Sequence, residues 1–392
     1  MKKLLGLFLL TATLTSCEVA SSEEVASQNS IISANNYIAL GDAYSAGYMN
    51  GGLYRKGQEV SFPSLLAKQL NVKFEQPLFA LGQENGTGYL TKVGQEIVAV
   101  KNNTAFVNAT SLAKYVGNNN NLGIPFLRMS EVAVDYSKSL QLGSKYYPFF
   151  ERISTNSASK TYLDLVNEAK PTFYTLFLGE QDVLAYATSG GLATTTEISV
   201  FSINLRKLLD VLVTAKAQGI VANIPDITTF PMLTNFENAK TKLSTSTFYI
   251  LTGNGITRKA TSQDFILTAS LKDIIATGGG ATDKTPLKNE WVLDQAEVQM
   301  IQTLIRDYND VLKKETTSRN IPMVDLKTLF NEVVVGKNST TVNQFFSLDN
   351  VYPTPRGYAL IANEYIKVIN QQYKTSYPSG VPLIDVNQYG VE

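Results

Sequence analysis

The polar residues best placed for chemistry in this 392-residue chain lie in three short stretches. They are Gly41-Asp42-Ala43-Tyr44-Ser45-Ala46-Gly47, Gly179-Glu180-Gln181-Asp182 and Asp349-Asn350-Val351-Tyr352-Pro353. Among the groups they offer are the hydroxyl of Ser45, the carboxylates of Asp42, Asp182 and Asp349, the amide of Gln181 and the phenol of Tyr352. They offer no imidazole, because the chain contains no His, and its single Cys is Cys17. That composition excludes a Ser-His-Asp triad, a His-ligated metal and a thiolate zinc site. A carboxylate-only metal site would require Asp42, Asp182 and Asp349 to converge, and neither a metal nor another cofactor is expected. With 34 basic and 34 acidic residues, the chain also lacks the positive excess of a nucleic-acid binder.

The apolar runs around these stretches indicate what positions them. Tyr37 to Leu40, Phe173 to Leu178, Ile220 to Ile224 and Ile321 to Leu326 are short and bounded by turn residues, as strands buried on both faces are. Helical spacing lies between them. Phe201, Leu205, Leu208, Leu209 and Leu212 share one helix face, and Val298, Ile301, Ile305, Tyr308 and Leu312 share another. Tyr358, Ile361, Tyr365 and Ile369 mark a last helix, with Pro355 at its start. The alternation predicts an α/β fold, a three-layer α/β/α sandwich over a mostly parallel sheet. Sites in such sheets gather beyond the carboxyl ends of the strands. Residues about 95–128 and about 232–290 break the rhythm and are expected to be lid-like insertions. The aromatic clusters Tyr146 to Phe150 and Phe345-Phe346 read as core packing ahead of a protein-facing surface.

In chain order, the three stretches resemble the sequence blocks of the SGNH (GDSL) hydrolases. The first is similar to Gly-Asp-Ser-Leu-Ser-x-Gly, with Ala43 where the nucleophilic Ser stands. The second is similar to Gly-x-Asn-Asp, with Gln181 at the oxyanion Asn, and the third to Asp-x-x-His-Pro, with Asp349 kept and Tyr352 at the His. Gly82, Gly86 and Gly88 are candidates for the glycine block. Tyr147 to Arg152, Val221 to Asp226 and Gly357 to Glu364 are similar to a lipoprotein branch of the family in Bacteroidota. The resemblance spans about residues 36–390 and implies a flavodoxin-like SGNH domain over 36–392.

In that family the Ser attacks an ester carbonyl while the His takes its proton. Ala43 has no nucleophilic atom, and a phenol with a pKa near 10 is only about one part in a thousand ionised at pH 7. The resemblance therefore implies a catalytic set that has lost its function at Ala43, Gln181 and Tyr352, with Asp349 retained. Ser45 reads as a helix-start hydroxyl, its alternative being a substitute nucleophile. Asp42 is expected to bond amides of its own turn. Asp42, Ser45, Gly86 and Asp182 are the candidate lining of the former cleft.

At the N-terminus, Lys2 and Lys3 precede an apolar run, Leu4 to Leu14, too short to span a bilayer. Residues 1–16 read as a signal peptide ending at Leu14-Thr15-Ser16-Cys17, which resembles a bacterial lipobox with Cys17 as the lipidated residue. Residues 17–35 read as a flexible tether, and Glu23 and Glu24 resemble a surface-export signal. The expectation is an outer-membrane lipoprotein facing the cell exterior, lipid-anchored and bound to no nucleic acid. Its expected role is as accessory subunit of an outer-membrane β-barrel, either fatty-acid-transporter-like or part of a larger assembly complex. An esterase using Ser45, or a lipid- or glycan-binding module using the old cleft, are the alternatives.

Overall fold

A computed structural model describes residues 31–390, apart from 103–105, 109–110, 136, 139–143, 155–158, 244–246 and 336–337. Cys17, the signal peptide and most of the tether lie outside the described residues. Five parallel strands form the central sheet: β1 (Tyr37–Gly41), β2 (Asn121–Gly123), β3 (Phe173–Phe177), β4 (Gln218–Ala222) and β5 (Met323–Val324). Their spatial order is β5-β4-β3-β1-β2, every neighbouring pair being parallel. This is the flavodoxin-like order, whose topological switch point lies between β1 and β3. Both strands are buried along their whole length, which is why each reads as an unbroken apolar run.

Seven helices matter for the site: α1 (Ala43–Ala46), α2 (Phe62–Leu70), α3 (Tyr162–Ala169), α4 (Gln181–Thr188), α5 (Ile198–Thr214), α6 (Gln295–Thr317) and α7 (Pro355–Gln372). Helices α2 and α7 pack together in one layer, and α3, α5 and α6 form the other. Each predicted stripe is buried. Phe201 of α5 stacks on Tyr308 of α6 at 4.2 Å, and Phe62 of α2 on Tyr365 of α7 at 4.9 Å. The ends are fixed by side chains. Asp294 caps α6 through the amides of Ala296 and Glu297, and Glu297 returns a bond to the Asp294 amide. Thr354 caps α7, with Pro355 at the first helical position.

Three expectations are corrected. The segment 95–128 is not wholly an insertion, because it contains the edge strand β2. Its asparagines conceal the strand while serving it, Asn120 donating to the Tyr37 carbonyl (3.1 Å) and Asn121 to that of Ser45 (2.8 Å). The segment around 232–290 is more than a lid. Leu233–Asn235, Phe265–Leu267 and Val292–Leu293 make a three-stranded antiparallel sheet with two apolar faces. Leu233, Leu267 and Leu293 join the main core, whereas Phe236, Ile266 and Val292 join Phe248, Ile250 and Leu287 in a small core of their own. Finally, chain contacts begin before Asn36. Ile32 donates to the Lys374 carbonyl (2.9 Å), Ser33 to Gln218 Oε1 (2.8 Å), and Ala34 is buried.

The Phe201–Tyr308 stack joins the two longest helices of its layer. Phe201→Ala is expected to lower the free energy of unfolding by about 3–5 kcal/mol. The shift in urea midpoint measures it, and a loss below about 1 kcal/mol would show that the stack is not a packing centre.

Candidate functional site

The site forms where β1 and β3 end side by side. Gly41, the last residue of β1, has φ +141°, and a Cβ there would lie 2.0 Å from the Phe177 carbonyl oxygen and 2.7 Å from Ser45 Oγ. Only glycine lets the two strand ends approach so closely. The Asp42 amide donates to the Phe177 carbonyl at 3.3 Å, and Asp42 Oδ1 accepts from the Tyr44 amide at 3.1 Å, capping α1. Asp42 thus bonds its own turn, as the sequence suggested. Ala43 is the first residue of α1 and is fully buried.

Ser45 is also fully buried, and its hydroxyl donates to the Leu40 carbonyl at 2.9 Å. The proton is committed to backbone, and no base is arranged to take it. The substitute-nucleophile alternative has no geometric support. Gly86 adopts φ +53° against Leu53, with its N–H spent on the Gln83 carbonyl, so it is a turn residue supporting its own loop. Asp182 turns away from the strand ends to accept from the amides of Met129 (2.8 Å) and Ser130 (3.4 Å).

Gln181, on the first turn of α4, meets Tyr352 from the last loop. Its Nε2 donates to the Tyr352 hydroxyl at 2.7 Å and makes a longer contact of 3.2 Å with Glu180 Oε2. Tyr352 is packed edge-on against Tyr48 (4.9 Å) and Tyr44 (5.2 Å). Gln181 and Tyr352 are 3% and 5% exposed, so their hydrogen bond lies inside the protein. Asp349 does reach Tyr352, but at the backbone. Its Oδ1 accepts from the Val351 and Tyr352 amides at 2.9 and 2.8 Å, and its Oδ2 from Gly51 at 2.6 Å. Asp42 through Oδ1, Asp182 and Asp349 thus each accept from a different set of amides.

Sequence reasoning gave no role to Glu180 and Asn50. Glu180 is completely buried beside Asp42; Glu180 Oε1 and Asp42 Oδ2 each lack a hydrogen-bond partner. Burial pushes both carboxyl groups well above the ordinary range; Asp42 raises Glu180 further, and Asp182 raises Asp42. Burial likewise moves Asp182 up to about 6. The Tyr352 phenol is held well above 10, by burial first and then by the adjacent Glu180. Asn50 anchors the last loop, accepting from the Leu348 amide while its own amide donates to Ser347 Oγ, both at 2.9 Å. The signal for Glu180 was its place in the second polar stretch; Asn50 carried none.

The family profile of the GDSL-like lipases/acylhydrolases matches residues 37–365. The chain belongs to this family. No curated protein matches the sequence. Among solved structures, the GDSL chain is similar to a G-D-S-L family protein from Desulfitobacterium hafniense DCB-2, at 10% identity and TM-score 0.36, over 85% of this chain and 99% of that one. It is similar also to the acetyl xylan esterase AlAXEase (12% identity, TM-score 0.35, 84% and 96% covered). A third is the extracellular lipase of Streptomyces rimosus (14% identity, TM-score 0.35, 86% and 98% covered). In this GDSL chain the first helical residue after β1 offers a methyl group, and a phenol bonded to an amide stands at the start of α4.

Two measurements test this arrangement. Tyr352→Phe removes the acceptor of the Gln181 amide and is expected to cost about 1–3 kcal/mol, the price of an under-satisfied buried donor. An unchanged urea midpoint would show that the bond contributes nothing. The second concerns pH. A carboxyl whose folded pKa is raised supplies stability that is complete below its unfolded pKa, about 4.3 for Glu, and is lost as pH rises through the folded value. Glu180→Gln does not titrate, so the variant is expected to gain on the parent as pH rises above the unfolded value of about 4.3. Parallel stability curves for the two proteins would show that Glu180 is not held protonated.

Proposed function

We propose that this chain is a non-catalytic GDSL-fold lipoprotein, serving as accessory subunit of an outer-membrane β-barrel complex for transport or outer-membrane protein assembly. The observation that carries the non-catalytic reading is the buried Gln181–Tyr352 hydrogen bond. Ester cleavage by this fold requires an activated hydroxyl, a base to take its proton and donors free to receive an oxyanion. At this position Ala43 supplies no oxygen, and the Tyr352 phenol is a far weaker base than imidazole. The Gln181 amide already has acceptors. Substituting a nucleophile or its base typically costs about 10⁶ in turnover.

The membrane reading rests on the N-terminal sequence. Lys2 and Lys3, the short apolar run and Cys17 support lipid attachment, and Glu23 and Glu24 support the outer face. Among the described residues no helix is long and apolar enough to cross a membrane. A lipid on Cys17 would supply the attachment. A well-kept scaffold around a site without a nucleophile favours a role in holding a partner over a role in turnover.

The test is a gentle-detergent pull-down of the tagged, lipidated protein from native membranes, with mass spectrometry of the eluate. A β-barrel in stoichiometric amount is the expected result, and a lone monomer would sink the accessory-subunit reading. A fluorophosphonate probe is expected to leave the same sample unlabelled. Labelling that disappears in Ser45→Ala would instead establish an esterase.

A further inference from the structure

The described chain starts at one pole of the fold, and the former catalytic residues lie at the other. Ile32 bonds Lys374, Ser33 bonds the side chain of Gln218 at the start of β4, and Asn36 donates to the carbonyls of Ala169 and Lys170 just ahead of β3. The chain therefore reaches Ile31 at the amino-terminal edge of the sheet. Ala43, Gln181 and Tyr352 lie beyond the opposite, carboxyl-terminal edge. Also at that far pole is the hairpin Tyr89–Val93 with Glu96–Val100, whose Leu90 donates to the Asn50 carbonyl at 2.7 Å.

The distance between the poles decides what an anchor at Cys17 permits. From Cys17 to Ile31 the chain spans at most about 50 Å when fully stretched, and about 20 Å as a flexible coil. A domain of this size has a radius of gyration near 21 Å, so the path over its surface from pole to pole is roughly 80 Å. A short tether attached at the amino-terminal edge thus favours an orientation with that edge towards the bilayer.

The amino-terminal edge also has the charge of a membrane-facing surface. Lys170 precedes β3, Lys216 precedes β4, Lys313 and Lys314 end α6 ahead of β5, and Lys374 lies beside Ile31; all five are exposed. None is in an ion pair among the described residues. The neighbouring acids Glu75, Glu168, Asp210 and Glu315 are already paired, with Lys73, Lys160 and Arg319. Cations left unpaired beside a lipid attachment favour anionic headgroups, an attraction that acts within a Debye length, about 8 Å in physiological salt.

We propose that the amino-terminal edge of the sheet, with these five lysines, lies against an anionic lipid headgroup surface, and that the Gln181–Tyr352 end points away from the membrane. This orientation rests on the lipoprotein reading above.

The experiment uses the full chain, processed in a lipoprotein-competent host, with acyl chains on Cys17 checked by intact mass. Acylation leaves no free thiol, so a fluorophore attaches only to an introduced cysteine. Lys374→Cys marks the lysine edge, and Val93→Cys marks the exposed hairpin at the other pole. Both are placed on phosphatidylcholine vesicles containing phosphatidylglycerol and a headgroup-linked quencher. Quenching is expected to be several-fold stronger at position 374 than at 93. Equal quenching, or stronger quenching at 93, overturns the orientation while leaving the anchor intact. A mass without acyl chains overturns the anchored reading itself and the orientation with it. Lys170→Glu with Lys216→Glu is expected to abolish the extra quenching that phosphatidylglycerol gives over phosphatidylcholine alone. An unchanged difference would remove the lysines from the proposal.

Discussion

The clamp between the last loop and the first turn after α1 is the constraint on which the site depends. It joins residues almost 300 apart in sequence through a few side chain-to-backbone bonds. Asp349 takes the Gly51 amide, and Asn50 takes that of Leu348 while its own amide donates to Ser347. Each of these backbone groups would otherwise need water, so the clamp both satisfies them and sets the direction of the loop. Once it is closed, Tyr352 must point into the fold towards α4. Tyr44 and Tyr48 pack edge-on against its ring, and Gln181 supplies the donor its oxygen would lack. The same clamp is compatible with a catalytic loop, because it uses backbone amides and is indifferent to the side chain at position 352. A family scaffold can therefore persist unchanged around altered chemistry.

Buried tyrosines perform a related task throughout the molecule. Tyr162 donates to the Leu122 carbonyl and accepts from the Gly41 amide, tying β2 to the end of β1. Tyr358 donates to the Tyr48 carbonyl, and Tyr373 to that of Gly219. In each case a large apolar ring fills the core while its hydroxyl bonds a backbone group. The high aromatic content is thus largely structural, and the clusters Tyr146 to Phe150 and Phe345-Phe346 are buried.

The sequence was legible where burial on both faces leaves an unbroken apolar run. That is true of β1, β3 and β4, and of the stripes on α5, α6 and α7. It failed at β2, where Asn120 and Asn121 look like loop residues because their side chains bond neighbouring carbonyls. It overstated β5, which spans two residues of the six in its apolar run; Pro322 has no amide to donate and contributes only its carbonyl to Val221. At the site, spacing alone could not bring positions 42, 181 and 352 together; resemblance did that. Glu180 was overlooked because nothing local distinguishes a carboxylate beside a strand end from a solvated one. Only its complete burial next to Asp42, which pushes its carboxyl above the ordinary range, sets it apart.

The two-faced sheet made by Leu233–Asn235, Phe265–Leu267 and Val292–Leu293 has a consequence for the history of the chain. The segment leaves and rejoins the parent fold on strands flanking the same central strand, so its two ends are only about 10 Å apart. It brings its own small core and presents three leucines to the main one. A segment with close ends and an interior of its own can be gained, lengthened or lost as a module, and the parent need only re-cover one apolar strip. The part of this protein freest to diversify is therefore the excursion beside the last loop, where Met232 donates to the Asn350 carbonyl. New partners could be acquired there without any change in the sheet.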